Sequence, residues 1–447
     1  MASQDNLPSQ IHSLLSSLTE NVLSTLRLGP SDLSDFRIRK IVTTGEGAVT
    51  IASINAFSGA TFVLRHWSQL SQAIEIQTLE SFLISLPSVQ RYARASYHRG
   101  VDLPLSEEYI RKFVEQEIVK RFVWNLVELP DFPTHSKAAF ESLCGNWENL
   151  LLTGKRRVRC ICLLQAFSGI ESAVTLGSCV TIRKACDLDF SELADVFGES
   201  SGFGNNRWLL EIRYEDPADR GLGVDSPHDE VLRALTALRL TKSGDVHVRR
   251  LHTRPEGDIT VRSEMEFAHP RSARSYKLHE SDLGQLSEMW RLSGPETVPS
   301  EVDFATRRFN FGFDRWRVED RITDHVIALE ALYVPDSLSG EIGYKLQVRG
   351  TAVLGENRTG NEREQIRKEL KTAYSLRSAL VHGESDARIR RELRRIALRR
   401  LDEFVPVLED LLRQSIVNFL RIPGLLKADV LDRLVLGIEP PGTPPTS

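Results

Sequence analysis

The feature that most constrains the fold of this chain is a succession of helical patterns between residues 300 and 422. Apolar side chains recur there every three or four positions, a spacing that predicts amphipathic helices. Four such helices in a row each have an apolar face to bury, so the pattern predicts an all-α bundle at residues 300–422. Proline removes an interior hydrogen bond, so we expect a bend at Pro406. The predicted helices are Phe304–Tyr333, Gly340–Leu354, Glu362–Val381 and Ala387–Arg421.

The sequence before Ser293-Gly294-Pro295 has a different character, with short apolar runs separated by glycine, serine and asparagine. Runs of this kind are typical of strands, and they alternate with a few helical patterns. The fold class is therefore α+β, with an irregular mixed α/β region at residues 1–290 followed by the bundle. The predicted strands are Phe36–Val42, Ala48–Ile54, Ala60–Leu64, Arg157–Phe167, Ala173–Arg183, Trp208–Tyr214 and Val246–Leu251, and the predicted helices are residues 10–27, 106–128 and Asp229–Leu240.

Both ends of the chain carry further signals. The repeated prolines of Pro440–Pro445 indicate that residues 423–447 form a proline-rich tail without enough apolar surface to fold. Met1–Pro8 lacks the basic start and apolar run of a signal peptide, and no stretch approaches the roughly 20 apolar residues of a membrane span. We therefore expect a soluble cytoplasmic protein that does not enter the membrane.

Charge and cysteine content limit the kinds of site to expect. A net charge of -4 gives no overall preference for nucleic acid, so any RNA-binding surface must be a local patch. The five cysteines include no Cys-x2-Cys pair and have no histidine at ligand spacing, so neither a metal site nor a cofactor is predicted. Cys160 and Cys162 lie in an apolar strand pattern that places both thiols on one face, as small core residues in a reducing compartment.

Arg377 and His382 form the candidate catalytic pair, at the end of a strongly helical segment that stops at Gly383. Arginine keeps its charge and offers a planar fork of donors that fits phosphate oxygens, whereas histidine gives or takes a proton near neutral pH. The pair therefore indicates chemistry on a phosphodiester. The alternative is structural, because cationic residues also collect at helix C-termini and glycine is common just beyond them.

The spacing of the pair limits how it could act. Five residues on a regular helix correspond to a rotation of about 140°, so the two side chains cannot share one narrow face. They could converge at a distorted helix end, or a two-fold dimer could bring each pair to face its copy. The geometry favours a composite site at a homodimer interface.

Other polar residues near the pair have mainly structural interpretations. Glu330 lies within an apolar run and is expected to be partly buried against a basic partner, either Arg349 or Arg377. Asp320 and Asp324 lie four apart among Arg317 and Arg321, which predicts surface ion pairs, and His325 is expected at the helix surface or in packing.

A basic run follows the pair along the chain. The apolar residues Ile389, Leu393 and Ile396 define its inward stripe and leave most of the arginines outward. A solvated helix face explains such a run, and contact with an RNA backbone is the alternative. No aromatic residue interrupts it, which argues against base stacking. The candidate RNA-contact residues are Arg390, Arg391, Arg394 and Arg395.

The bundle contains an ordered series of motifs: Asp320–Asp324, Ile327–Leu332, Glu341–Leu346 with Arg349, Tyr374, Arg377-Ser378 and Val381-His382-Gly383. In this order, the series resembles the Apea-like branch of the HEPN family. The resemblance covers about 120 residues, and looser similarity at Val180–Arg183 and Leu235–Leu240 extends it upstream. It implies an HEPN-type helical bundle preceded by a region that senses or binds something.

The resemblance also implies a function. Many HEPN domains resemble metal-independent ribonucleases in which the Arg-x4-6-His pair of each protomer meets at a dimer interface, with RNA as substrate. Here that pair would be Arg377 and His382, supported by Ser378, Glu330, Tyr374 and Arg349. Several toxin-type members have asparagine or aspartate where this chain has Ser378. The implied role is anti-phage defence or a toxin effector, with an unknown trigger or inhibitor acting at the N-terminal region. The alternative is a non-catalytic module that binds nucleotide or RNA, or only dimerises.

Overall fold

The computed structural model describes residues 7–27, 40–43, 49–52, 59–97, 106–127, 137–170, 172–185, 208–217, 227–256, 263–267, 274–294, 298–336 and 341–438. The chain divides into two compact units. The first contains residues 1–162, 183–228 and 250–265, and the second contains residues 163–182, 229–249 and 266–447. Helices and strands occur in both, so the mixed α+β fold class is confirmed.

Helices dominate the first part of the chain, more than the sequence predicted. They are α1 (Leu7–Arg27), α2 (Gly59–Leu70), α3 (Ile74–Ser85), α4 (Pro87–Tyr97), α5 (Glu107–Phe113), α6 (Lys120–Val127) and α7 (Lys137–Thr153), and a π-helical turn, Val114–Val119, joins α5 to α6. The predicted helix at residues 106–128 is confirmed, and Ser106 caps it by accepting a hydrogen bond from the Tyr109 N–H at 3.2 Å. The helices α3, α4 and α7 were not predicted.

The strand predicted at Ala60–Leu64 is wrong, because these residues lie in α2. Thr61, Phe62 and Val63 favour strands locally. Val63 and Leu70, however, are both buried in one apolar cluster with Ile11, Leu15 and Leu18 of α1. Their spacing of seven residues fits one face of a helix, so tertiary packing overrides local preference here.

The strands follow the predicted pattern closely elsewhere. β1 (Lys40–Thr43) pairs antiparallel with β2 (Val49–Ala52), Lys40 opposite Ala52. The expected turn at Gly45 and Gly47, and Phe36 to Arg39 of the first predicted strand, lie outside the described residues. A six-stranded sheet has the order β5-β6-β7-β3-β8-β9. Its strands are β3 (Lys155–Gln165), β5 (Val174–Leu176), β6 (Val180–Lys184), β7 (Trp208–Pro217), β8 (His247–Pro255) and β9 (Ser263–Glu266).

Two predicted strand segments are interrupted in the structure. Gly177, at φ +63°, makes the turn that divides Ala173–Arg183 into β5 and β6, which pair with Val174 opposite Ile182. Ala166, at φ 53°, separates β3 from β4 (Phe167–Ser168). The short strand β4 pairs in parallel with β10 (Tyr276–Lys277). Cys160 and Cys162 are buried on β3, as predicted.

The second unit is mainly helical. Its helices are α8 (His228–Thr241), α9 (Leu283–Leu292), α10 (Ser300–Asp314), α11 (Val318–Tyr333), α12 (Ile342–Leu354), α13 (Gly360–Val381), α14 (Asp386–Arg394), α15 (Leu401–Arg421) and α16 (Ala428–Val435). α11 packs against α10, α12, α13 and α15. Its apolar residues Ile322, Val326 and Leu329 are fully buried, and the Tyr333 hydroxyl donates to Ser415 Oγ of α15 at 2.8 Å.

Two helices that the sequence predicted as continuous are broken. Phe304–Tyr333 divides at residues 315–317 into α10 and α11, and Ala387–Arg421 divides at residues 395–400 into α14 and α15. Ala397 has a φ of 59°, which a helix does not accommodate. The chain therefore turns before Pro406, which lies in the second turn of α15.

The prediction of an unfolded tail from residue 423 onward is wrong for its first residues. Residues 423–426 form a 3₁₀ turn and Ala428–Val435 form α16, whose Leu431 is fully buried beside the buried Leu425. These leucines supply the apolar surface that residues 423–438 were expected to lack. Pro440–Pro445 lie outside the described residues.

A close approach between α10 and α11 depends on Gly312. A β-carbon on Gly312 would overlap the imidazole of His325, which is fully buried. Burial, assisted by the charge of Arg321, lowers the pKa of His325 to about 3, so the ring is neutral at physiological pH. His325 is thus a packing residue, one of the two interpretations given above.

Gly312→Ala should therefore destabilise the protein by about 1–3 kcal/mol, because the added methyl group forces a buried ring out of place. Denaturant unfolding of the full chain would measure the effect. Gly360→Ala is the matched control, since a β-carbon there meets nothing within 4 Å. An equal response of the two variants would contradict this account of the close approach.

Candidate active site

The candidate site lies where α13 ends. The helix begins with a capping box, in which Glu362 N–H donates to the Thr359 hydroxyl and the Thr359 N–H donates to the Glu362 carboxylate. At its other end, Gly383 N–H donates to Leu380 O at 3.3 Å and Glu384 N–H donates to Ala379 O at 2.9 Å. These two bonds form a Schellman motif, and Gly383 supplies the left-handed conformation it needs, at φ +64°.

His382 is the last residue held by the helix. Its N–H donates to Ser378 O at 3.1 Å, and its side chain is exposed. Val381, just before it, is 55% exposed although apolar. The imidazole is therefore available to a substrate or to a second protein surface.

Arg377 lies in the last full turn before His382 and is only 31% exposed. Its Nη2 lies 3.9 Å from Glu330 Oε2 of α11. No hydrogen bond from the guanidinium of Arg377 occurs within the described part of the chain, and its buried Nε has no partner there. Arg377 is thus held by an ion pair while its hydrogen-bond donors remain available.

Among the described residues, Glu330 is the only close ionic partner of Arg377. The Glu330 side chain is 18% exposed. Burial raises the pKa of Glu330, and the charge of Arg377 opposes that rise without cancelling it. Its buried Oε1 accepts no hydrogen bond. Of the two partners expected for Glu330, the structure places Arg377 beside it.

Tyr374 connects the site to α12. A β-carbon on Gly343 would lie 2.6 Å from Cδ1 of the Tyr374 ring, so the glycine allows the ring to lie close against the start of α12. Tyr344, the next residue of α12, is 61% exposed. Tyr374 therefore helps to position α13 one turn before Arg377.

Arg349 does not join this group. It is 2% exposed, and its guanidinium is fully engaged: Nη1 donates to Tyr333 O at 3.0 Å and to Asp336 at 2.8 Å, and Nε donates to Asp432 at 2.8 Å. These bonds tie α16 to α12 and to the end of α11. The expected supporting role of Arg349 is thus structural in this arrangement.

The basic run after His382 forms α14 and the turn that follows it. Arg390, Arg391 and Arg394 are exposed, and Leu393 is buried, as the apolar stripe predicted. Several of the arginines have local acidic neighbours: Arg390 lies 3.8 Å from Asp386, and Arg395 pairs with Glu392. The helix begins four residues after His382, and its solvated arginine face begins at Arg390.

The prediction that Asp324 forms ion pairs at the surface is wrong. Asp324 is buried and accepts hydrogen bonds from Arg308 at 2.8 Å and Arg315 at 2.7 Å, because it lies on the face of α11 that packs against α10. Arg321 also turns inward, toward Asp245 and Glu409.

Sequence reasoning missed a buried ring of alternating charges, here called the ion ring and composed of Asp245, Arg274, Glu409 and Arg321. Arg274 pairs with Asp245 at 2.6 Å and with Glu409, and Arg321 pairs with Glu409 and lies 3.4 Å from Asp245. Glu409 is 0% and Asp245 3% exposed at the side chain. Burial alone would raise the pKa of Asp245, but the hydrogen bonds and charge of Arg274 outweigh it and lower that pKa.

A signal for the ion ring was present in the sequence. Glu409 lies among apolar residues of α15, much as Glu330 does in α11, and such a carboxylate predicts a basic partner. The sequence does not identify that partner, because Arg274 and Arg321 are far from Glu409 along the chain.

The described residues contain no group of three or more His, Cys, Asp or Glu side chains that could hold a metal ion. Within the same ranges, no helix is long and apolar enough to cross a membrane. No family model, curated protein or solved structure matches the chain.

Proposed function

We propose that this protein is a metal-independent endoribonuclease of the HEPN type, with Arg377 and His382 as its catalytic residues. The observation that carries the proposal is the arrangement at the end of α13. An arginine with unused hydrogen-bond donors lies one turn before an exposed histidine on the same helix. In phosphodiester cleavage through the 2′-hydroxyl, these side chains can serve as the proton acceptor and as the group that stabilises charge on the phosphoryl oxygens.

In the proposed reaction, His382 accepts the proton of a ribose 2′-hydroxyl as its oxygen attacks the adjacent phosphorus. The bond from phosphorus to the 5′-oxygen breaks, and that oxygen takes a proton from a second acid. Arg377 stabilises the negative charge that develops on the phosphoryl oxygens. The products are a 2′,3′-cyclic phosphate and a 5′-hydroxyl.

The second acid is proposed to be His382 of a second copy of the chain. Residues five apart on a regular helix point about 140° apart, so one copy alone does not place both groups on one face. A two-fold axis would bring the two α13 ends together. Val381 and Tyr344, which are 55% and 61% exposed, offer apolar surface for such a contact.

The surroundings fit an RNA substrate. The exposed arginines of α14, Arg390, Arg391 and Arg394, begin within three turns of His382 and would contact the phosphate backbone. Arg395, 46% exposed at its side chain, would extend this contact. We further propose that the protein acts in the cytoplasm as an anti-phage or toxin effector, and that the N-terminal region receives a trigger or inhibitor.

The test is an RNA cleavage assay with the purified full-length protein in the presence of a chelator, using structured and single-stranded RNA. We expect products that end in a 2′,3′-cyclic phosphate, and we expect the Arg377→Ala, His382→Ala double variant to form none. Cleavage that persists in the double variant would assign the activity to other residues.

One observation favours a second candidate function. Arg377 already faces a carboxylate, as it would in a purely structural ion pair. The alternative is a non-catalytic module that binds nucleotide or RNA, or that only dimerises. RNA binding without any cyclic phosphate product would support it.

A further inference from the structure

The ion pair of Arg377 and Glu330 leaves hydrogen-bonding atoms of both residues without partners. At 3.9 Å, the distance from Nη2 to Oε2 is too long for a hydrogen bond but close enough for strong attraction between charges. Arg377 Nε and Glu330 Oε1 are both buried, and neither has a hydrogen-bond partner within the described ranges. Buried polar atoms normally find partners, and here the unpaired atoms belong to a pair that lies beside the exposed His382, so a ligand at this helix end could satisfy them.

The charges around the pair determine what that ligand is. α11 packs against α10, α12, α13 and α15, and among the described residues Arg377 is the charged group that shifts the pKa of Glu330. A phosphate that accepts the free donors of Arg377 would bring a second negative charge close to Glu330. A phosphate and a carboxylate that share one arginine in a partly buried site repel each other, and this repulsion favours the protonated form of the carboxyl.

We propose that Glu330 is a positioning residue that holds Arg377 ready for a phosphodiester and takes up a proton when the phosphodiester binds. Before binding, the Glu330 carboxylate fixes the guanidinium without occupying its donors. On binding, the phosphate oxygen takes the place of the carboxylate as the counter-ion of Arg377. Glu330 then becomes neutral, with the proton supplied by solvent. This inference rests on the proposed function for its choice of ligand, but it concerns binding and not cleavage.

The environment of Glu330 makes proton uptake easy. Burial raises the pKa of this carboxyl above its usual value, and the charge of Arg377 opposes the rise. A phosphate that shares the charge of Arg377 weakens that opposition. By linkage, a ligand that binds with uptake of one proton loses affinity by at most roughly tenfold for each unit of pH between the pKa of the carboxyl in the free protein and its higher pKa in the complex.

The inference can be tested with 2′-O-methyl RNA, which lacks the attacking hydroxyl and so binds without being cut. Affinity is measured between pH 5 and 8 by fluorescence anisotropy, in a His382→Gln background that removes the other titrating group of the site. We expect affinity to fall by about tenfold or more over this range. In the Glu330→Gln variant of the same background we expect affinity to change by less than about threefold. An unchanged pH dependence in Glu330→Gln would overturn the proposal.

A second measurement does not depend on the folding of a Glu330 variant. Calorimetric titration of the His382→Gln protein in two buffers of different ionisation enthalpy counts the protons taken up on binding. We expect a net uptake that the Arg377→Ala variant does not show. Binding without proton uptake, or no binding of the oligonucleotide, would overturn the inference. Binding with uptake by a native protein that never cleaves RNA would support the inference and refute the proposed nuclease.

Discussion

His382→Ala should lower the rate of RNA cleavage by about 10²–10⁴-fold, the range that one general acid or base contributes. The loss should fall on the chemical step and spare the fold. The His382 side chain is exposed and makes no hydrogen bond to another described residue, while its backbone bond to Ser378 survives the substitution. Single-turnover cleavage under saturating enzyme, followed by gel analysis of the products, would measure the rate.

The matched control is Lys371→Ala, which removes an exposed side chain from the same helix about three turns earlier. That variant should cleave at close to the native rate. A His382→Ala rate within about threefold of the native rate would exclude His382 as the general acid or base. Equal losses in both variants would instead indicate that RNA contacts along α13, and not proton transfer, limit the reaction.

Glu409→Ala should destabilise the second unit by about 3–5 kcal/mol, the usual cost of removing one partner from a buried ion pair. The ion ring balances two carboxylates against two guanidinium groups, and Glu409 is its fully buried member. Without Glu409, Arg274 and Arg321 would share Asp245 alone. A positive charge would then remain uncompensated between α11 and α15.

Unfolding in guanidinium chloride, followed by circular dichroism, would measure this change. Asp402→Ala is the control on the same helix, because Asp402 is 49% exposed and pairs with Arg400 at the surface. Exposed pairs of this kind contribute at most about 1 kcal/mol. If the two variants were equally stable, the ion ring would not be an important source of stability.

The sequence was sufficient to predict elements whose periodicity agrees with their packing. The helices at residues 106–128 and 229–240 and most strands appear where expected, and Leu393 lies on the inward stripe of α14. Breaks were harder to predict. Ala397 adopts a positive φ, although alanine is not a residue that usually marks a turn. The segment between α10 and α11 contains neither proline nor glycine. Tertiary contacts at Asp324, and not local propensity, account for that second break.

At the candidate site, too, local sequence patterns were enough to predict burial but not contacts between distant residues. The run of apolar residues around Glu330 was enough to predict partial burial and a basic partner, and one of the two candidates, Arg377, lies beside it. The inward turn of Arg321 could not be predicted, since its acceptors come from Asp245 and from Glu409, far away along the chain. Pairings over such separations depend on the assembled fold.

The two defined ends of α13 limit how the length of the chain can change. The capping box at Thr359 and the Schellman motif at Gly383 fix a helix of 22 residues, about 33 Å long. Inserting one residue between Tyr374 and Arg377 would rotate the arginine by about 100° relative to the tyrosine. Arg377 could then no longer face Glu330 while Tyr374 stayed against Gly343. Insertions and deletions should therefore be tolerated in the segment that joins α12 to α13, and excluded from the last two turns of α13.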